Sequence, residues 1–197
     1  MALKSTHPPS GLKGKYPSYP SDPIFDIRDM FLKSTERFAG KIALQHKKDG
    51  SWAPITYGEL RDQVEHTACG LAALGLQPVQ GKLAIVGDNR PEWAIAYLAA
   101  ACTGIVCVPI DKDLKETEVC NILYLSGAQA LIGDDKHMGM MRTMRHRLPE
   151  LALVVNMDEM QPTEGVLRLS ELKRAGQQRI RSGRNDFVES RVFPDQL

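Results

Sequence analysis

The residues able to do chemistry in this chain are scattered rather than assembled. Asp111 and Asp113 follow the apolar run Ile105–Ile110, at what reads as the C-terminal end of a parallel strand. That end is where α/β proteins hold ligands. With no partner acid or base in sight, the two carboxylates read as a strand breaker and a helix cap. Arg90 and Glu92 flank Pro91 at a strand-to-helix turn. Arg90 could grip an anion at the helix start; structurally, Asp88 or Asn89 would cap the helix while Trp93 inserts between helix and sheet. Ser126–Gly127 and Ser182–Gly183 look like helix ends or turns, and neither lies in a GxSxG elbow. His7, His46, His66, His137 and His146 are dispersed, with no HExxH pair, so no metal centre is expected. Cys69, Cys102, Cys107 and Cys120 show no CxxC spacing and sit among apolar neighbours. They read as buried free thiols of a reducing compartment.

Phosphate cradles are absent as well. The apolar run Lys82–Val86 is followed by GDNRPE, whose single glycine cannot form the GxGxxG turn that brings amides to a pyrophosphate. No loop ending in GK and a hydroxyl residue occurs. Between Arg168 and Arg191 seven basic residues are diluted by Glu171, Asp186 and Glu189, which reads as a solvated helix and tail. The net charge of +1 and only two tryptophans argue against a nucleic-acid surface. Trp93–Ile110 runs 18 residues without a charge. Gly104 and Pro109 interrupt it, so a three-turn helix and a buried strand fit better than a bilayer span.

The elements that must position these residues alternate at βαβ spacing. Residues 1–23, with Pro8, Pro9, Pro17, Pro20 and Pro23, form an extended arm without the apolar core of a signal peptide. A helix is expected over Ile27–Phe38. Ile42–Leu44 and Trp52–Ile55 flank Asp49–Gly50, a hairpin signal. Thr56 with Glu59 is a capping box opening a long helix, with Leu60, Val64, Ala68, Leu71 and Leu74 as its buried stripe and Gly75 as its end. Strands follow at Lys82–Val86, Ile105–Pro109, Ala128–Ile132 and Leu151–Val155. The helices between and after them run from Pro91 to Thr103, from the Asp113/Glu116 capping-box spacing to Leu125, over His137–Arg147, and over Leu169–Ile180. The fold class is α/β: a largely parallel sheet flanked by helices, preceded by a β-hairpin and a long helix. The domain spans residues 24–180. Residues 181–197 form a polar tail in which Phe187, Val188, Val192 and Phe193 are isolated apolar points.

Four segments in order carry a family resemblance. ITYGEL (Ile55–Leu60), GLQPVQGKLAIVG (Gly75–Gly87), NRPEW (Asn89–Trp93) and LAAACTGIVCVPID (Leu98–Asp111), followed by EVCNILYLSGAQALIGDD (Glu118–Asp135), resemble the front part of adenylate-forming enzymes. NRPEW is closest to the long-chain fatty acid–CoA ligases. The resemblance covers about Ile24–Val155 and implies an incomplete N-terminal subdomain of an acyl-CoA synthetase. Such an enzyme joins a fatty acid to CoA through an acyl-adenylate, using ATP, Mg²⁺ and CoA. The chain reaches FPDQL (Phe193–Leu197) about where that family places its Ser/Thr/Gly-rich phosphate loop. The family's Tyr-Gly-x-Thr-Glu motif, ribose-binding Asp and catalytic Lys have no counterpart here. No catalytic, cofactor-binding or metal residue maps onto this chain, so none of the cofactors should bind it tightly. Expected partners are the carboxylate substrate and the rest of a ligase chain. An apolar face left bare would favour self-association. The implied location is cytoplasmic, peripheral to membranes at most. Alternatives are a short paralogue acting as an interaction module, or a piece of an aryl-CoA ligase or a peptide-synthetase adenylation domain.

Overall fold

The computed structural model describes residues 23–48, 50–158 and 164–192. Most of the proline-rich arm, Asp49 of the hairpin turn and Phe193 lie outside the described residues. Asp26 caps the first helix, α1 (Ile27–Arg37), by accepting the Asp29 N–H at 2.6 Å. Strands β1 (Ile42–Lys48) and β2 (Ser51–Thr56) form the expected antiparallel hairpin, with Lys48 opposite Ser51 and Gly50 at φ +80°. At that φ a side chain would be strained. Thr56 then starts α2 (Tyr57–Ala73) through the expected capping box. Its hydroxyl accepts the Glu59 N–H at 3.2 Å, and the Glu59 carboxylate accepts the Thr56 N–H at 2.8 Å. Leu60, Val64, Ala68 and Leu71 are buried as the stripe requires, while Leu74, already at the helix cap, is 39% exposed.

The α/β part holds five parallel strands in the order β4-β3-β5-β6-β7: β3 (Lys82–Val86), β4 (Val106–Ile110), β5 (Ala130–Gly133), β6 (Leu153–Asn156) and the short β7 (Leu167–Arg168). Alternate side chains sort to the two faces, as strand geometry demands. Leu83, Ile85, Ala130, Ile132, Leu153 and Val155 join one core with Ala96, Ala100 and Leu172. Ala84, Val86, Leu131 and Val154 join the other, beneath α4 (Glu116–Ser126) and α5 (Asp135–Met144). Helix α3 (Pro91–Thr103) touches cores on two sides: Ala96 and Ala100 face the sheet, while Ile95, Ala99 and Cys102 face α1 and α2. Burial on two sides explains its alanine-rich sequence, whose one charge, Glu92, sits in the first turn. Gly104, at φ +72°, ends it and lets β4 begin. Among the described residues no helix is long and apolar enough to cross a membrane.

Several expectations need correction. Helix α4 starts at Glu116, not through Asp113. The Asp113 N–H turns back onto Asp111 Oδ1 at 2.9 Å, which spends Asp113 on a local turn. Glu118 instead accepts the Lys115 N–H at 2.8 Å. Helix α5 begins two residues earlier than expected, because Asp134 caps it. A single 3₁₀ turn over Arg145–Arg147 replaces its end. Strand β7 carries too few residues to show a period. Phe187 is not an isolated point in a polar tail. It lies on α7 (Asp186–Glu189), is fully buried, and meets Phe31 edge-to-face at 6.4 Å.

The last long helix, α6 (Leu169–Arg181), lies against α2 at backbone distance. A Cβ on Gly70 would stand 2.2 Å from the Leu172 carbonyl oxygen, and one on Gly176 would stand 1.9 Å from that of His66. No side chain can flex away from such a contact, so Gly176→Ala must push the helices apart. Urea unfolding of Gly176→Ala should show a loss on the order of 3 kcal/mol. Gly139→Ala, exposed in α5 with nothing within 4 Å, should gain up to about 1 kcal/mol. Equal effects of the two substitutions would contradict the close approach.

Candidate functional site

In an open parallel sheet the default ligand position is the C-terminal edge at the point where strand order reverses. Here β3 has β4 on one side and β5 on the other. The loops Gly87–Arg90 and Asp134–His137 therefore meet at the reversal. Gly87 sits at φ +148°, and a Cβ there would be 2.8 Å from Met157 Cε and 2.9 Å from Asp134 Oδ2. The Asp134 carboxylate fills the crevice. It accepts the Asp88 N–H at 3.1 Å and the His137 N–H at 3.3 Å, and lies 2.5 Å from His137 Nδ1. On the far side of the ring, His137 Nε2 donates to the Lys112 carbonyl at 3.0 Å. Lys112 Nζ in turn donates to Asp88 Oδ1 at 2.6 Å. Asp88 is held below its ordinary value first by that hydrogen bond, and Lys112 is raised by the same contact.

Beside this ring lies a second network. Arg90 donates to Glu92 Oε2 at 2.7 Å and to Asp158, which follows β6. Asp158 also accepts the Asp135 N–H at 2.8 Å and donates its own N–H to Asn156 Oδ1 at 2.9 Å. Asn156 Nδ2 reaches Asp135 Oδ1 at 3.2 Å. Burial works to raise Asp158, but Arg90 and the Asp135 amide outweigh it and leave the carboxyl lowered. For Arg90, burial opposes the charge, yet Glu92 and Asp158 together push its pKa up. The guanidinium that could have gripped an anion is thus committed to two carboxylates of this chain.

A cavity of about 830 Å³ opens next to Arg90, between the hairpin, the start of α3 and the start of α6. Leu44, His46, Trp52, Met157 and Lys173 contribute to its walls. The cysteines lie elsewhere and are free. Burial pushes Cys102 up to about 12 and Cys107 to about 11, and raises Cys69, so none of these three is an activated thiolate.

Of the residues singled out in the sequence, the structure places Arg90 and Glu92 together at the sheet edge and leaves Asp111 and Asp113 in a local turn. Trp93 is half-buried and stacks on Tyr97 at 5.7 Å. Arg90 itself occupies the cap position of α3, with no side-chain cap bond and Pro91 next in line. The expected cap by Asp88 or Asn89 does not form, because Asp88 faces Lys112. Asp134, Asn156 and Asp158 were not singled out, and His137 was weighed only as a metal ligand. Their signal was present: each lies at or just beyond the end of an apolar strand run, and Asp134 precedes His137 by the three residues of a helix cap.

A parallel sheet covered on both faces, with a hairpin and long helix packed ahead of it, is the architecture of carboxylate–CoA ligase domains. The anthranilate CoA ligase AuaEII, solved with anthranoyl-AMP, superposes with a TM-score of 0.69 at 23% identity, covering 76% of this chain and 28% of that one. Coronafacic acid ligase from Pectobacterium brasiliense gives 0.71 at 19% identity, covering 87% and 32%. The family model of the AMP-binding enzymes matches residues 31–190, and the chain belongs to that family. Its curated relatives include the long-chain-fatty-acid–CoA ligase heimdall of Drosophila melanogaster, 27% identical over 66% of this chain, and ACSBG2 of Rattus norvegicus, 31% identical over 62%. The chain spans about a fifth of the length of each, 20% in both cases.

Carboxylates dominate the donor set at the sheet edge, and Arg90 and Lys112 are paired with them. No group of three potential metal ligands occurs among the described residues. Removing Arg90 should expose this balance. In Arg90→Ala, burial acts on Asp158 with less opposition, so its carboxyl titrates higher by NMR than in the parent. The sign for stability follows: a lowered carboxyl stabilises above its unfolded pKa of about 4, and that contribution is lost as pH falls through the folded value. Arg90→Ala should therefore be less stable than the parent at neutral pH, with the deficit shrinking as pH falls below about 4. An unchanged Asp158 titration would contradict the pairing.

Proposed function

We propose that this chain supplies the first α/β subdomain of an ATP-dependent fatty acid–CoA ligase. The observation that carries this reading is the family match over residues 31–190, with long-chain fatty acid–CoA ligases among the relatives. The complete reaction would join a fatty acid carboxylate to AMP and then to CoA, with ATP, Mg²⁺ and CoA as its reactants and cofactor. The subdomain, read from residue 24, extends past residue 180 to take in α7, since Phe187 completes its core. A cytoplasmic setting fits the free thiols.

In this reading the chain is scaffold. Transfer of an adenylyl group rests on positioning and on positive charge preorganised around phosphate. The described sheet edge offers carboxylates instead, and none of its residues is assigned a catalytic, cofactor-binding or metal-binding role. The purified 197-residue chain, incubated with Mg-ATP, CoA and fatty acids of several lengths, should release AMP no faster than buffer does. Carboxylate-dependent AMP release abolished by omitting CoA or ATP would overturn the proposal.

A further inference from the structure

The loops after β3, β4 and β5 are tied into one closed circuit, and its centre is a titratable ring. Asp88 follows β3, Lys112 follows β4, and Asp134 and His137 follow β5. The links run Asp88 to Lys112 through a 2.6 Å ion pair, Lys112 to His137 through its carbonyl at 3.0 Å, and His137 to Asp134 at 2.5 Å. Asp134 closes the circuit to the Asp88 N–H at 3.1 Å. The His137 side chain is 6% exposed and that of Asp134 10%. Both ring nitrogens face acceptors: a carboxylate on one side, a backbone carbonyl on the other. Only the doubly protonated imidazole can donate to both. A singly protonated ring must turn a lone pair toward either Asp134 or the Lys112 carbonyl.

We infer that His137 is a pH-sensitive latch which, when doubly protonated, fastens the β4–α4 loop to the strand-reversal point of the sheet. Loss of one ring proton breaks one of its two bonds. The carbonyl bond is the weaker of the two, because it lacks the opposite charge that Asp134 supplies. The loop around Lys112 is therefore the part released. The charged groups around the ring act in both directions. From β5 and α5, Asp134 favours the charged ring and Lys136 opposes it. From the β3–α3 loop, Asp88 favours it. From the β4–α4 loop and the start of α4, Lys112 and Lys115 oppose it and Glu116 favours it. Lys115, Glu116 and Lys136 share a small surface cleft with His137. Lys136 Nζ also lies 3.4 Å from the Lys112 carbonyl. It is too far to replace the ring as a strong donor, but near enough to keep the released loop from drifting far. The latch needs no ligand and does not depend on the reaction proposed above.

The linkage sign is fixed by the geometry. The circuit is complete below the midpoint of the ring and opens as pH rises through it. The experiment is a pH titration of the full 197-residue chain by NMR. It reads the ring nitrogens of His137 and the backbone amides of residues 111–114 in the same samples. The two sets should share one midpoint. Amide exchange of the loop, corrected for intrinsic rate, should rise by about tenfold across it. In His137→Gln the loop amides should exchange at the faster rate at every pH, with no step. Should that variant fail to fold, the parent titration decides alone. Loop amides that stay unchanged while the ring titrates, or a ring carrying a single proton at the lowest pH where the chain is folded, would overturn the latch.

Discussion

Helices α2 and α6 touch through their backbones, and the remainder of the fold is arranged around that contact. Gly70 and Gly176 leave no space for a Cβ between the two helices. An approach this close lets Leu172 reach the sheet-facing core together with Leu71. It also brings the end of α6 to where Arg179 can take Asp186 in a two-point ion pair. Asn185 then donates to Glu65 at 2.5 Å and accepts from Cys69 Sγ at 3.4 Å. These bonds set α7 on α2, and Phe187 drops between α1, α2 and α3. The hairpin-helix part and the βαβ part are thereby one unit. α2 belongs to the first by chain order, while α6, which follows β7, belongs to the second.

The sheet edge shows the same economy in electrostatics. Acidic side chains stand at the ends of β3, β4, β5 and β6, and the nearby cations are drawn into pairs with them. Asp134 occupies the crevice where a doubly covered parallel sheet would hold a ligand. His137 lies against that carboxylate, and Lys112 pairs with Asp88. Arg90 does the same with Asp158. The edge is thus stabilised as a polar network of the protein itself. The family signature in this part of the chain consists of elements that build the scaffold.

Much of the architecture was legible in the residues. The Thr56–Glu59 capping box, the Pro91 helix start, the Gly104 stop and the hairpin around Gly50 depend on local chemistry, and each appears where expected. Strand identity was legible because four of the five parallel strands are apolar runs bounded by turns. β7 was not, since two residues cannot show a period. Phe187 was misread because its burial depends on contacts with Phe31 and Cys69, more than a hundred residues away in sequence. The Asp113 capping box failed because Asp111 accepts the Asp113 N–H that Glu116 would have taken. The glycines of α2 and α6 carried no visible sign of their role: a glycine inside a helix looks the same whether its space is open or occupied. The site was the least legible part. Arg90 and Glu92 were visible as a pair, but Asp158, which decides what Arg90 can do, comes from a distant strand.

The central claim is that these residues form a self-supporting scaffold whose ligand crevice is already filled by its own side chains. Thermal unfolding of the purified chain, with and without millimolar Mg-ATP, tests it directly. Any ligand bound to the folded state raises stability by RT ln(1 + [L]/Kd), about 2.7 kcal/mol at a hundredfold excess over Kd. The account predicts one cooperative transition at the same midpoint in both samples. A midpoint that climbs with Mg-ATP concentration would show a nucleotide site in this domain and contradict it.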